Sequence, residues 1–150
     1  MKKLLLILST VFLMGSVFAQ SEPVSWSFSA KKVSGKTYDV YMTATLKTGW
    51  HIYSQTQPKD AIALPTKFAF SNNPLATLVG DVKEVGKMQK VKDEALGATA
   101  HQFSNKVNFV QRVTLKSDAK TNINGTVEYQ LCDDKMCLPP KKLPVKIPVG

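Results

Sequence analysis

Apolar and polar residues alternate with a period of two along most of this chain. Trp26, Phe28 and Ala30 interleave with Ser25, Ser27 and Ser29. Tyr38, Val40, Met42, Ala44 and Leu46 interleave with Asp39, Thr43, Thr45 and Lys47; only Tyr41 blurs the polar face. Val107, Phe109, Val113 and Leu115 oppose Asn108, Arg112 and Thr114. Val127, Tyr129 and Leu131 interleave with Thr126, Glu128 and Gln130, and Leu143, Val145 and Ile147 with lysines and prolines. Successive side chains of a strand point to opposite faces, so each of these segments reads as a strand with one face buried. Shorter strands are expected at 50–54, 66–70 and 78–85.

Turn signals separate the strands: Ser34-Gly35, Thr48-Gly49, Asn72-Asn73-Pro74 and Asn124-Gly125. The segment 86–102 is polar with little alternation and reads as a long connection, a kind of segment that often carries function. No segment keeps a helical period. About eight short strands predict an all-β fold, an immunoglobulin-like antiparallel β-sandwich. Trp26 and Trp50 are expected in or at the edge of its core.

The first nineteen residues read as a signal peptide and not as part of the fold. Lys2 and Lys3 precede an apolar run from Leu4 to about Phe18, and Val17-Phe18-Ala19 makes a small-residue cleavage pattern. The run is too short for a membrane span, so no stable membrane insertion is expected. Residues 20–150 then form one domain, large enough for a core without disulfides. An export signal of this form predicts the bacterial periplasm, where disulfides persist.

The formal net charge is +9. Lysines are scattered from Lys31 to Lys146, and Arg112 is the only arginine. Nucleic-acid readers concentrate Arg and Lys on one recognisable element, so no nucleic-acid partner is expected. The charge reads as a solvated cationic surface.

The only two cysteines lie in Cys132-Asp-Asp-Lys-Met-Cys137-Leu-Pro-Pro140. Cys132 ends a strand and Leu138-Pro139-Pro140 leads into the last one, so the pair flanks a hairpin tip stiffened by prolines. A disulfide there closes a loop of about six residues and contributes roughly 2 kcal/mol on the chain-entropy estimate. That is a modest staple, which makes a redox role worth weighing. Exchange needs a thiolate to attack a sulfur in line through a mixed disulfide. Asp133 and Asp134 disfavour a thiolate and Lys135 favours one. The residues alone leave three readings: a structural disulfide, a redox exchanger, or a soft-metal site drawing on Met136, His51 and His101. No recognised ligand spacing supports the third.

The stretch 127–140, Val-Glu-Tyr-Gln-Leu-Cys-Asp-Asp-Lys-Met-Cys-Leu-Pro-Pro, resembles the active-site hairpin of the N-terminal periplasmic domain of DsbD, the thiol:disulfide interchange protein. Gly49-Trp-His-Ile-Tyr-Ser-Gln55 with Pro65-Thr-Lys-Phe68 resembles that domain's early strand and loop. Asp93-Glu-Ala-Leu-Gly97, followed by Phe103 and residues 107–111, more weakly resembles its cap loop and next strand. The similarity spans about residues 24–148, and the cysteine hairpin is its specific part.

The resemblance implies an immunoglobulin-like sandwich with the redox pair at one end and no organic cofactor. It implies a thioredoxin-like or DsbD-type membrane electron donor. Oxidised periplasmic proteins, such as disulfide isomerases or cytochrome c maturation factors, are the implied acceptors. Carried onto this sequence, Cys137 forms the mixed disulfide and Cys132 resolves it. Asp93, Glu94, Leu96, His51 and Tyr53 line the site. The chain departs from the family's best-known member in having one residue fewer between its cysteines, and Ala95 and Leu96 where an aromatic side chain caps the sulfurs. It also ends at Gly150, without a membrane conduit or thioredoxin-like domain. The expectation is a stand-alone domain that meets its donor in trans; the alternative is a protein- or peptide-binding sandwich pinned by a structural disulfide.

Overall fold

A computed structural model describes residues 22–93 and 98–150. The alternating segments form β1 (Val24–Ser34), β2 (Thr37–Leu46), β3 (His51–Tyr53), β4 (Lys67–Phe70), β5 (Ala76–Asp93), β6 (Ala98–Leu115), β7 (Thr121–Tyr129), β8 (Leu131–Cys132) and β9 (Lys141–Val149). Among the described residues there is no helix. The strands make two antiparallel sheets. One is six-stranded in the order β1-β2-β6-β3-β8, with β5 on the other edge of β6; the other is three-stranded, β4-β7-β9. This is the immunoglobulin-like sandwich that the alternation predicts.

The apolar face of each strand supplies the layer between the sheets. Val40, Met42, Ala44, Val107, Phe109 and Val113 from the larger sheet meet Val127, Val145 and Ile147 from the smaller one, all fully or nearly fully buried. Burial of each such side chain stabilises the fold by about 1.5–3 kcal/mol. Trp26 and Trp50 pack against this core while partly exposed. On the outer face of the large sheet the polar residues pair across strands. Arg112 holds Asp39 through Nε at 2.8 Å and Nη2 at 3.0 Å, and Thr43 donates to Asn108 Oδ1 at 2.8 Å.

Strand β6 is the spine. Residues 106–114 pair with β2 and residues 102–104 with β3 on one edge, while β5 runs along the other edge. The segment 86–102 is therefore not a connection. It is the distal half of a β5–β6 hairpin whose ladder continues to Asp93 opposite Ala98. Residues 85–92 of β5 are exposed throughout. Gln89, Lys90 and Lys92 leave no apolar alternation to read, although the backbone ladder is intact. Instead of about eight short strands, the described residues form nine, two of them of 18 residues. Asn105, at φ 64°, interrupts β6 between its two sets of partners.

The expected turn at Asn124-Gly125 lies inside β7. Gly125 stands between Phe70 of β4 and Val145 of β9. A Cβ there would sit 2.6 Å from the Ala69 carbonyl oxygen and 3.0 Å from Phe70 Cα. The glycine thus serves close strand approach, the other common reason for glycine in a sheet. Gly35 and Gly49, both at positive φ, do occupy turns. Strand β9 tolerates Pro144 and Pro148 because it is an edge strand of its sheet.

Candidate functional site

The cysteine pair stands where the chain changes sheets. Strand β7 belongs to the three-stranded sheet up to Tyr129; two residues later, Leu131 and Cys132 pair with Ile52 and His51 of the other sheet. Gln130 braces this crossing by donating from Nε2 to the Leu138 carbonyl at 3.2 Å.

Paired residues of an antiparallel ladder share a face. Ile52, Phe103 and Leu131 are paired, buried core residues. His51, Tyr53, Gln102 and Cys132 consequently lie on the opposite face, outside the interior of the sandwich.

Cys132 and Cys137 are joined by a disulfide with their Cα atoms 4.0 Å apart. They oppose each other across the hairpin, bracketed by Leu138 N–H donating to Leu131 O at 2.8 Å and Asp133 N–H to Met136 O at 2.9 Å. This is the closer, non-hydrogen-bonded type of cross-strand pair. Asp133 organises the tip. Its Oδ1 accepts from the N–H groups of Lys135 at 2.8 Å and Met136 at 2.7 Å. Those bonds hold its carboxyl below the usual range. The sequence suggested Asp133 as a charge bearing on the sulfurs; the structure makes it chiefly the cap of the turn.

The two sulfurs differ in access. Cys132 is 1 % exposed, whereas Cys137 is exposed. The Tyr53 hydroxyl donates to Cys132 Sγ at 3.1 Å and lies 3.9 Å from Cys137 Sγ. Burial raises the Tyr53 pKa, so the phenol keeps its proton. The His51 ring meets Tyr53 edge-on at 5.4 Å. Burial lowers the His51 pKa from 6.5, opposed by the charges of Asp134 and Asp133.

A groove of about 850 Å³ opens over the disulfide. Its walls are the cysteine turn, the distal β5–β6 hairpin with Val91, Lys92 and Ala100, and the β3–β4 loop with Ile62 and Leu64. That loop is pinned from below. Ser54 Oγ and Gln55 N–H both donate to the Glu84 carboxylate at 2.7 Å, and Gln57 Nε2 donates to the His101 carbonyl at 2.6 Å. Thr66 Oγ1 donates to the Tyr53 carbonyl at 2.6 Å.

The structure thus brings Cys132, Cys137, His51 and Tyr53 together. Asp93 ends the described part of β5 opposite Ala98. Glu94 and Leu96 lie outside the described residues. Sequence reasoning missed the apolar rim: Ile62 is 69 % exposed, Met136 55 %, and Leu64 and Val91 are also exposed. The signal was Ile62-Ala63-Leu64, an apolar run between Pro58 and Pro65 in an otherwise polar loop. Among the described residues, no three His, Cys, Asp or Glu side chains converge as a metal site.

Residues 18–147 match the family model of the thiol:disulfide interchange protein DsbD, N-terminal. Among solved structures, the N-terminal periplasmic domain of ScsB from Proteus mirabilis is similar. It has a TM-score of 0.54 and 15 % identity, over 82 % of this chain and 44 % of that one. The chain therefore spans less than half the length of that ScsB domain. The DsbD N-terminal domain of Neisseria meningitidis in the reduced form matches with a TM-score of 0.46 and 14 % identity, over 85 % and 86 % of the two chains. The comparison with curated protein sequences finds no match.

Proposed function

Given that this chain belongs to the family of the N-terminal domain of the thiol:disulfide interchange protein DsbD, we propose that it is a periplasmic thiol–disulfide exchange protein working through Cys132 and Cys137. The observation that carries the reading is the unequal access of the two sulfurs: Cys137 exposed, Cys132 buried beneath the Tyr53 hydroxyl. In the dithiol form, the Cys137 thiolate attacks an acceptor disulfide. It forms a mixed disulfide and releases one acceptor sulfur as thiolate. Cys132 then attacks Cys137, the intermolecular bond breaks, and the second acceptor sulfur leaves. Two electrons pass to the acceptor and the Cys132–Cys137 bond re-forms. No cofactor enters this chemistry.

A thioredoxin-like or DsbD-type membrane partner returns the electrons, and oxidised periplasmic proteins are the acceptors. Residues 1–19 act as the export signal. The similar ScsB domain is periplasmic, which supports the location. Among the described residues, no helix is long and apolar enough to cross a membrane. The family resemblance assigns Asp93, Glu94 and Leu96 to the site as well. The exposed apolar rim of Ile62, Leu64, Val91 and Met136 supports a protein partner over a small thiol.

Trapping in periplasmic extracts tests the roles. Cys132→Ser is expected to accumulate mixed disulfides through Cys137, and Cys137→Ser to accumulate none. The potential of the pair should lie among working exchangers, between about −180 and −270 mV; a value below roughly −300 mV, with no adducts from Cys132→Ser, indicates a structural staple instead.

A further inference from the structure

Resolution of a mixed disulfide requires Cys132 to lose a proton inside a nearly closed environment. A thiol's ordinary pKa is about 8.5, and burial raises it. Bulk water has little access to Cys132, which is 1 % exposed. Some group at the site has to take the proton.

His51 is placed to do so. It is the residue directly opposite Cys132 in the β3–β8 ladder and shares its face. Side chains so paired have Cβ atoms about 4.5–5.5 Å apart, which puts an imidazole within reach of the opposing sulfur. The edge contact with Tyr53 holds the ring on the same side as the hydroxyl that donates to Cys132.

The other ionisable groups around the groove are unsuited to the task. Tyr53 donates its proton to the sulfur. Asp133 is tied to backbone N–H groups of the turn. Asp134, Lys135 and Lys92 are exposed to solvent and do not pair with Cys132 in the ladder. The chain's other histidine, His101, has Nδ1 3.0 Å from the Thr56 carbonyl and does not line the groove.

We propose that His51 is the proton acceptor for Cys132 in the resolving step, with Asp134 supporting the imidazolium that forms. This inference rests on the exchange reading above. The Cys132 proton passes to the neutral imidazole, and the Cys132 sulfur pair attacks Cys137. The bond between Cys137 and the acceptor breaks, and the acceptor sulfur leaves as a thiolate that takes up the proton. Burial keeps the ring neutral at pH 7, ready to accept, and Asp134 and Asp133 stabilise its charged form.

The test uses the reduced protein and 5,5′-dithiobis(2-nitrobenzoate), with release of the coloured thiolate followed from pH 5 to 9. Attack by Cys137 releases the first equivalent and resolution by Cys132 the second. The second phase of the wild type is expected to rise through an inflection below pH 6.5 and then level off. His51→Gln should lose that inflection, move the rise toward the thiol's own range, and slow the second phase about tenfold or more at pH 7. Its first phase should be unchanged, since exposed Cys137 gives its proton to water; a merely structural defect would alter both phases. Asp134→Asn, on the exposed turn, should move the wild-type inflection to lower pH. A His51→Gln profile that overlays the wild type, or an inflection that Asp134→Asn does not shift, overturns the role of His51 and leaves the exchange reading intact. A wild type that never releases the second equivalent overturns both.

Discussion

The Tyr53 hydroxyl reaches both sulfurs, at 3.1 Å from Cys132 and 3.9 Å from Cys137. An O–H donor stabilises a thiolate more than a thiol, and hydrogen bonds to charged groups contribute about 1.5–3 kcal/mol. Tyr53→Phe should therefore raise the Cys132 pKa of the reduced protein by about one unit or more. Cys137, at the longer distance, should move less. A pH titration of thiolate absorbance in each single-serine variant reads the two shifts. Equal shifts at both sulfurs would show that Tyr53 acts through general packing. The family resemblance suggested Tyr53 and His51 as site residues, and their two-residue spacing on a strand puts them on one face. The resemblance implied that Cys137 attacks and Cys132 resolves, but the unequal burial of the two sulfurs was not legible. Cys132 and Cys137 look alike in sequence, and only the surrounding elements bury one of them.

At the scale of elements, the site depends on how closely three strands approach. Gly125 lets β4 and β9 both close on β7, and β7 in turn launches Cys132 across to the other sheet. Gly125→Ala drives a methyl into backbone, not into a flexible side chain. The expected loss is at least the roughly 1–3 kcal/mol typical of overpacking, read as a lower urea midpoint. An unchanged midpoint would mean that β4 moves away at no cost. The sequence misplaced this glycine because Asn-Gly is a strong turn signal whose meaning changes when the flanking residues are already paired. The distal β5–β6 hairpin was missed for a related reason. Hydrophobic alternation reports burial of one face, and a ribbon exposed along β5 has none to report. Its pairing rests on backbone hydrogen bonds, to which side-chain pattern is nearly blind.

For the molecule as a whole, the disulfide is a small part of the stability. The bond joins residues only five positions apart, and the apolar cluster between the sheets is built from other residues. Urea unfolding of the oxidised and reduced forms should differ by roughly 2 kcal/mol or less, with the reduced form still folded cooperatively. Collapse of the reduced form to an unfolded chain would make the pair a structural staple. The period-two alternation by itself determined an all-β sandwich. The spacing Cys132 to Cys137, with the prolines behind it, determined a cysteine hairpin at a strand end. Both are local properties, carried by side-chain direction along one strand and by the reach of a short loop. Tertiary structure alone decided the switch of β7 into the other sheet, the placement of the pair on the outer face, and the groove shared by three distant segments. Those features arise from pairings such as His51 with Cys132, which join residues far apart in the chain through interchangeable backbone groups.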